Sequence, residues 1–263
     1  MPIVGVVNQK GGVGKTTTSV NVAAELAQRG HSVLLVDADP QGNATTGVGL
    51  DKSKLEGTLL EVIEAVASDP ENTTAVDSCT HTTQWPNLSI VPSTLDLVAA
   101  DGVLNGAVGK EMILRDSLDQ VKHKYDWIII DAPPSLGLLT VNILAACDRL
   151  VVPVQSEFYA LEGLSHLLKT VEMVRKRINP QLEICRVLLT MVDHRNRLSQ
   201  QVTDDVREYF GDKVAVTSIP RNVRLGEAPG FGEPAVALFP DSKGAEAYKA
   251  FVSELEGVLC AAH

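Results

Sequence analysis

Cysteine pairs, surplus basic charge and long apolar runs are what this 263-residue chain lacks. Its four cysteines, Cys79, Cys147, Cys185 and Cys260, form no C-x-x-C pair and no zinc-like spacing. That excludes a disulfide framework and a cysteine metal site, and they read as reduced, mostly buried thiols of a cytosolic protein. The six histidines, His194 among them, also lack paired metal-ligand spacing and read as solvent-facing or satisfied core residues. Lys and Arg total 23 against 33 Asp and Glu, a formal net charge of −10. This balance argues against a uniformly basic nucleic-acid binder and leaves room for a local patch only. No apolar run reaches the roughly 18 residues of a membrane span, and no signal-peptide pattern precedes the first apolar segment, so a cytoplasmic location is expected.

What is present is organised around residues 3–26, IVGVVNQKGGVGKTTTSVNVAAEL. Ile3, Val4, Val6 and Val7 make a β-branched run typical of a strand buried on both faces. Gly11, Gly12 and Gly14 interrupt it with a backbone whose N–H groups can converge on an anion. From Lys15 the period turns helical through Val20, Ala23, Ala24 and Ala27, with Gly30 as the stop. The helix therefore starts at the loop, and its N-terminus offers a phosphate chain both unpaired donors and positive potential. Lys15 is expected to reach the outer phosphates and Thr16 to give its hydroxyl to Mg²⁺. The strict phosphate-loop pattern requires glycine where Gln9 stands; the segment Lys10-Gly11-Gly12-Val13-Gly14-Lys15-Thr16 instead carries a second lysine at the loop's start.

Apolar runs alternate with helical patterns along the rest of the chain, as expected for one α/β domain over residues 1–263, a doubly wound, mostly parallel sheet flanked by helices. Ligands of such sheets bind outside the carboxyl ends of the strands. There the second strand, 32–36, delivers VDADPQGN with Asp37 and Asp39, and the strand in YDWIIID delivers Asp131. Acids at these tips point to magnesium and water chemistry. Pro133, Pro134 and Gly137 follow as a loop able to respond to a γ-phosphate. Helices are expected over 58–67, 112–121 and up to about Ile178, and a polar surface excursion over 68–87. Further strands are expected over 88–91, 150–154, 184–190 and 214–219. Arg195 and Arg197 fall in a loop after one of these, and Arg221 and Arg224 in a loop after the next. The last helix, 242–259, has three acids against two lysines on its polar face, so it is expected to pack on the body of the protein rather than on anionic lipid.

With these segments in view, the chain resembles the ParA/Soj family of partition ATPases, a P-loop NTPase group with the deviant Walker A loop. KGGVGKT carries the resemblance to the wider group, and VDADPQGNAT and PRNVRLGEAP to its chromosome-type Soj branch. The resemblance implies an ATP-dependent homodimer, closed face to face across two nucleotides with Mg²⁺. Lys10 would reach the partner's phosphates in trans, Asp39 would orient the attacking water, and Asp37 and Asp131 would order the magnesium shell with Thr16. Gly11, Gly12, Val13, Gly14, Lys15, Thr16 and Thr17 would cradle phosphates, and Pro220, Arg221 and Asn222 would lie against the adenine. It further implies nonspecific binding of double-stranded DNA, for which Arg195 and Arg224 are the candidate contacts, and a ParB/Spo0J-type partner that stimulates hydrolysis. The protein would then be nucleoid-associated. With the loop beginning at residue 8, an N-terminal helix-turn-helix domain is not expected. Alternatives remain open: a division-site ATPase resembling MinD, a small-molecule ligase or kinase, a nucleotide module that never hydrolyses, or a family member that positions a cargo other than DNA.

Overall fold

The computed structural model describes residues 2–157, 160–193 and 195–260. Its strands are β1 (Ile3–Val6), β2 (Val33–Asp37), β3 (His81–Thr82), β4 (Leu88–Val91), β5 (Trp127–Asp131), β6 (Arg149–Gln155) and β7 (Glu183–Thr190). Its α-helices are α1 (Lys15–Gln28), α2 (Asn43–Gly47), α3 (Leu59–Ser68), α4 (Ala75–Ser78), α5 (Ala100–Gly106), α6 (Ile113–Val121), α7 (Leu138–Ala146), α8 (Ala160–Arg177), α9 (Arg197–Phe210), α10 (Val223–Glu227), α11 (Ala235–Leu238) and α12 (Lys243–Cys260). The strands form one sheet in the order β3-β4-β2-β5-β1-β6-β7, parallel throughout except for the β3–β4 pair.

Successive strand residues point to opposite faces, and this alternation builds two cores. Leu34, Val36, Ile128, Ile130 and Val152 join the core under α3 and α5–α8, whereas Val33, Leu35, Ile129 and Val151 join the one under α1 and α12. Tyr248, Phe251, Val252 and Leu255 of α12 are buried in the second, so the last helix packs on the body as its composition suggested. Among the described residues no helix is long and apolar enough to cross a membrane.

Local chemistry sets the boundaries. α1 begins after Gly14 at φ 88°, in the left-handed region that glycine tolerates. Thr58 and Glu61 form a capping box that starts α3, each side chain meeting the other's backbone.

The expected strand over 214–219 does not form. Ala215 N and Ile219 N donate to Val187 O and Leu189 O of β7 at 2.9 and 2.8 Å, leaving isolated bridges at Val214 and Pro220. Between them the N–H groups of Val216 and Thr217 turn away to the Glu254 carboxylate, each at 3.1 Å, and the ladder breaks. The expected loop after β7 is also shorter than read: Asn196 accepts a hydrogen bond from Leu198 N at 2.9 Å, so α9 starts at Arg197. Within the polar excursion the chain makes α4 and the short antiparallel strand β3. His194 and residues 261–263 lie outside the described residues.

Candidate active site

Strands β2, β5 and β1 lie side by side, and their register assembles the site. Asp131 pairs with Val6 of β1 on one side and with Asp37 of β2 on the other. Both acids thus end neighbouring strands at the edge from which residues 7–14 leave β1. The loop is pinned from three directions. Asn8 Nδ2 donates to Pro153 O at 2.7 Å while its Oδ1 accepts from Lys10 N at 3.0 Å. Thr190 Oγ1 donates to Val13 O at 2.8 Å. Lys15 Nζ donates to Lys10 O at 3.2 Å.

The two loop lysines sit in different surroundings. Lys15, the first residue of α1, is 6% exposed. Burial holds its pKa below the usual lysine value, and the charges of Asp131 and Asp39 oppose that shift. Lys10 turns outward, with Nζ 3.1 Å from Glu157 Oε2 in a half-exposed ion pair.

The acids divide by their partners. Asp37, fully buried, accepts from Thr45 N at 2.8 Å and Thr45 Oγ1 at 2.7 Å through one oxygen, and from Asp39 N at 3.2 Å through the other. Burial pushes its pKa up, and the Thr45 bonds work against the rise. Asp131 accepts from Ser19 Oγ at 2.9 Å through Oδ1, whereas its Oδ2 is buried without a protein partner. Burial raises its pKa first and the neighbouring Asp37 second, against the hydroxyls of Thr16 and Ser19. Asp39 is buried beside them, with Oδ1 accepting from Gln41 N at 2.9 Å.

A hydroxyl at Thr16 and a buried carboxylate with one unpaired oxygen suit Mg²⁺, which takes oxygen ligands and keeps several of its waters. Among the described residues, no three His, Cys, Asp or Glu side chains make a self-contained metal cage.

A cavity of about 240 Å³ opens beside the loop, lined in part by Gly14, Thr17, Pro220, Arg221, Asn222 and Tyr248. The three residues expected against the base therefore line one cavity with Gly14 of the phosphate loop. Met191, directly after β7, lines the same cavity at φ 53°, a left-handed conformation rare for methionine.

Arg195 and Arg224 lie on adjoining segments, because Val192 and Pro220 are bridged in parallel and Arg221 N donates to Val192 O at 3.2 Å. Each is engaged within the chain. The fork of Arg195, 92% exposed, bonds Asp193 at 3.1 and 3.2 Å. Arg224 bonds Glu227 at 2.8 Å and stands 4.7 Å from the Phe239 ring centre.

Reading the sequence did not single out Thr45, Glu157 or Thr190. Thr45 closes the VDADPQGNAT segment, but its role appears only when α2 turns the Thr45 amide and hydroxyl onto Asp37.

Residues 1–184 match the family model described as an AAA domain. The chain is 49% identical over 255 residues to the sporulation initiation inhibitor protein Soj of Bacillus subtilis, covering 96% of this chain and 97% of that one. It is 46% identical to the chromosome partitioning protein ParA of Myxococcus xanthus, covering 96% and 87%. Its structure is similar to a crystal structure of cobyrinic acid a,c-diamide synthase from Mycobacterium smegmatis with bound ADP and magnesium, at 34% identity and a TM-score of 0.82, covering 97% and 94%. Because the partition proteins match at higher identity and over nearly the whole chain, this protein belongs to the ParA/Soj family of chromosome-partitioning P-loop ATPases.

Proposed function

We propose that this ATPase works as a nucleotide-switched dimer on DNA. The observation that supports it best is the split between the two loop lysines. Lys15 is buried among Asp39 and Asp131 and serves the phosphates of its own chain, while the Lys10 ammonium stands at the surface. A transferring phosphoryl group needs positive charge on its oxygens beyond what one lysine and Mg²⁺ supply. Lys10 brings it from the partner once two nucleotide faces meet. Thr16, Asp37 and Asp131 would hold Mg²⁺, which would supply positive charge to the phosphate oxygens. Asp39 orients the attacking water. Gly11 to Thr17 hold the phosphates, and Pro220, Arg221 and Asn222 hold the adenine.

In this reading dimerisation joins the Arg195 and Arg224 segments of two chains into one basic surface on an otherwise acidic protein. The ATP dimer then binds double-stranded DNA without regard to sequence and remains with the nucleoid in the cytoplasm. A ParB/Spo0J-type partner stimulates hydrolysis through a basic segment, which the chain's acidity favours, and hydrolysis releases the DNA. Co-sedimentation with a nonspecific duplex in ATP, ADP or no nucleotide tests the whole scheme. DNA should pellet the protein in ATP alone; equal pelleting in all three conditions, or in none, would end the reading.

A further inference from the structure

The segment 214–222, which carries Pro220, Arg221 and Asn222 to the cavity, has little holding its middle to β7. Ala215 and Ile219 each bond the strand, but Val216 is 86% exposed and its side chain contributes little packing. The middle hangs instead on one side chain of α12. Glu254 accepts from Val216 N through Oε1 and from Thr217 N through Oε2, each at 3.1 Å. Arg186 Nε, 2.8 Å from Oε1, fixes that carboxylate, and the two side chains are only 18% and 15% exposed. Six residues earlier on the same helix, the Tyr248 hydroxyl lies 3.0 Å from Thr18 Oγ1 of α1, and Tyr248 itself lines the cavity. One helix thus grips both walls: the phosphate side through Tyr248 and the base side through Glu254.

We propose that Glu254 is a positioning residue for the base, setting the 216–222 segment against the phosphate loop and so determining how strongly the site prefers adenine to guanine nucleotides. This rests on the reading of that cavity as the nucleotide site. Adenine and guanine differ in the donors and acceptors at their ring edge, and a site that recognises one by hydrogen bonds rejects the other only while its own groups are held in place. Glu254 touches no base. Its carboxylate supports the wall that does, as outer hydrogen bonds support the groups that contact a ligand elsewhere.

The test is competition binding on the full chain with ATP, GTP and inorganic triphosphate as probes. Glu254→Ala should weaken ATP about tenfold, the loss that removal of a charged hydrogen-bond acceptor commonly brings. It should also narrow the ATP-to-GTP ratio while leaving inorganic triphosphate unchanged. Glu254→Gln keeps one amide oxygen for an N–H and should fall between; if the alanine variant does not fold, the glutamine variant carries the test. Arg186→Gln loosens the carboxylate but spares both backbone bonds, so it should lower Tm and narrow the ATP-to-GTP ratio less than Glu254→Gln does. An unchanged ATP-to-GTP ratio at Glu254→Gln, or an equal narrowing at Arg186→Gln, would overturn the proposal. Failure of the underlying site reading shows separately, as undiminished triphosphate binding in Lys15→Ala.

Discussion

Lys10 Nζ lies 3.1 Å from Glu157 Oε2, so the lysine assigned to a partner's phosphates is held by a carboxylate of its own chain. The pair is half-exposed, and such pairs contribute on the order of 0–1 kcal/mol. Leaving it for a triphosphate is therefore easy. Lys10→Ala should bind ATP as a monomer yet form no ATP dimer and hydrolyse nothing. Glu157→Gln should shift the dimer's dissociation constant by about fivefold at most. Light scattering with ATP reads both, and an ATP dimer of Lys10→Ala that turns over would show that Lys10 does not act in trans.

Lys15 is the buried cation facing Asp39 and Asp131. Lys15→Ala should abolish ATP binding, and Lys15→Gln should weaken it severely, because the outer phosphates lose the one cation their own loop provides. Isothermal titration gives the answer directly; ordinary affinity in either variant would remove the phosphate site from this loop.

Asp39→Ala should bind ATP, dimerise and stall, since the phosphate cradle remains while water orientation is lost. Removal of such a group commonly costs roughly 10² to 10⁴ in rate. Single-turnover hydrolysis and size-exclusion chromatography should show dimer accumulating. Turnover at the parent rate would move the role elsewhere.

Arg195 and Arg224 each carry an acid, Asp193 and Glu227, with which DNA phosphates must compete. Arg195→Glu and Arg224→Glu should each weaken binding to all duplexes alike. The slope of log affinity against log salt should fall by about 0.9 for each phosphate that is no longer neutralised. Asp193→Asn should strengthen DNA binding by freeing Arg195. A full salt slope in either arginine variant, or loss of the ATP dimer before loss of DNA, would place the DNA surface elsewhere.

The parallel centre of the sheet was legible because strands buried on both faces leave continuous apolar runs. Those of β2 and β5 end in the acids Asp37 and Asp131, which the structure brings side by side at the candidate site. The loop was legible because glycine, lysine and helix start coincide there. What stayed hidden depends on distant partners. Residues 214–219 are rich in β-branched residues and read as a strand, but the ladder is broken by Glu254, 38 positions beyond Val216. α9 was within reach of the sequence, since Val202, Val206 and Phe210 stand at four-residue spacing, but the polar residues between them read as a continuing loop. Thr45 and Glu157 have roles fixed by tertiary placement, which spacing along the chain does not encode.

The Thr190 hydroxyl on Val13 O and the Asn8 amide on Pro153 O stitch the phosphate loop to β7 and β6 by bonds in which no nucleotide takes part. The cradle consequently keeps its form between turnovers. A departing ADP leaves behind a receptor that needs no reordering, so the entropic cost of capturing the next ATP is small. Refilling can then be as quick as diffusion and base docking permit, and in the proposed dimer scheme the tempo of the cycle falls to the steps that two chains perform together.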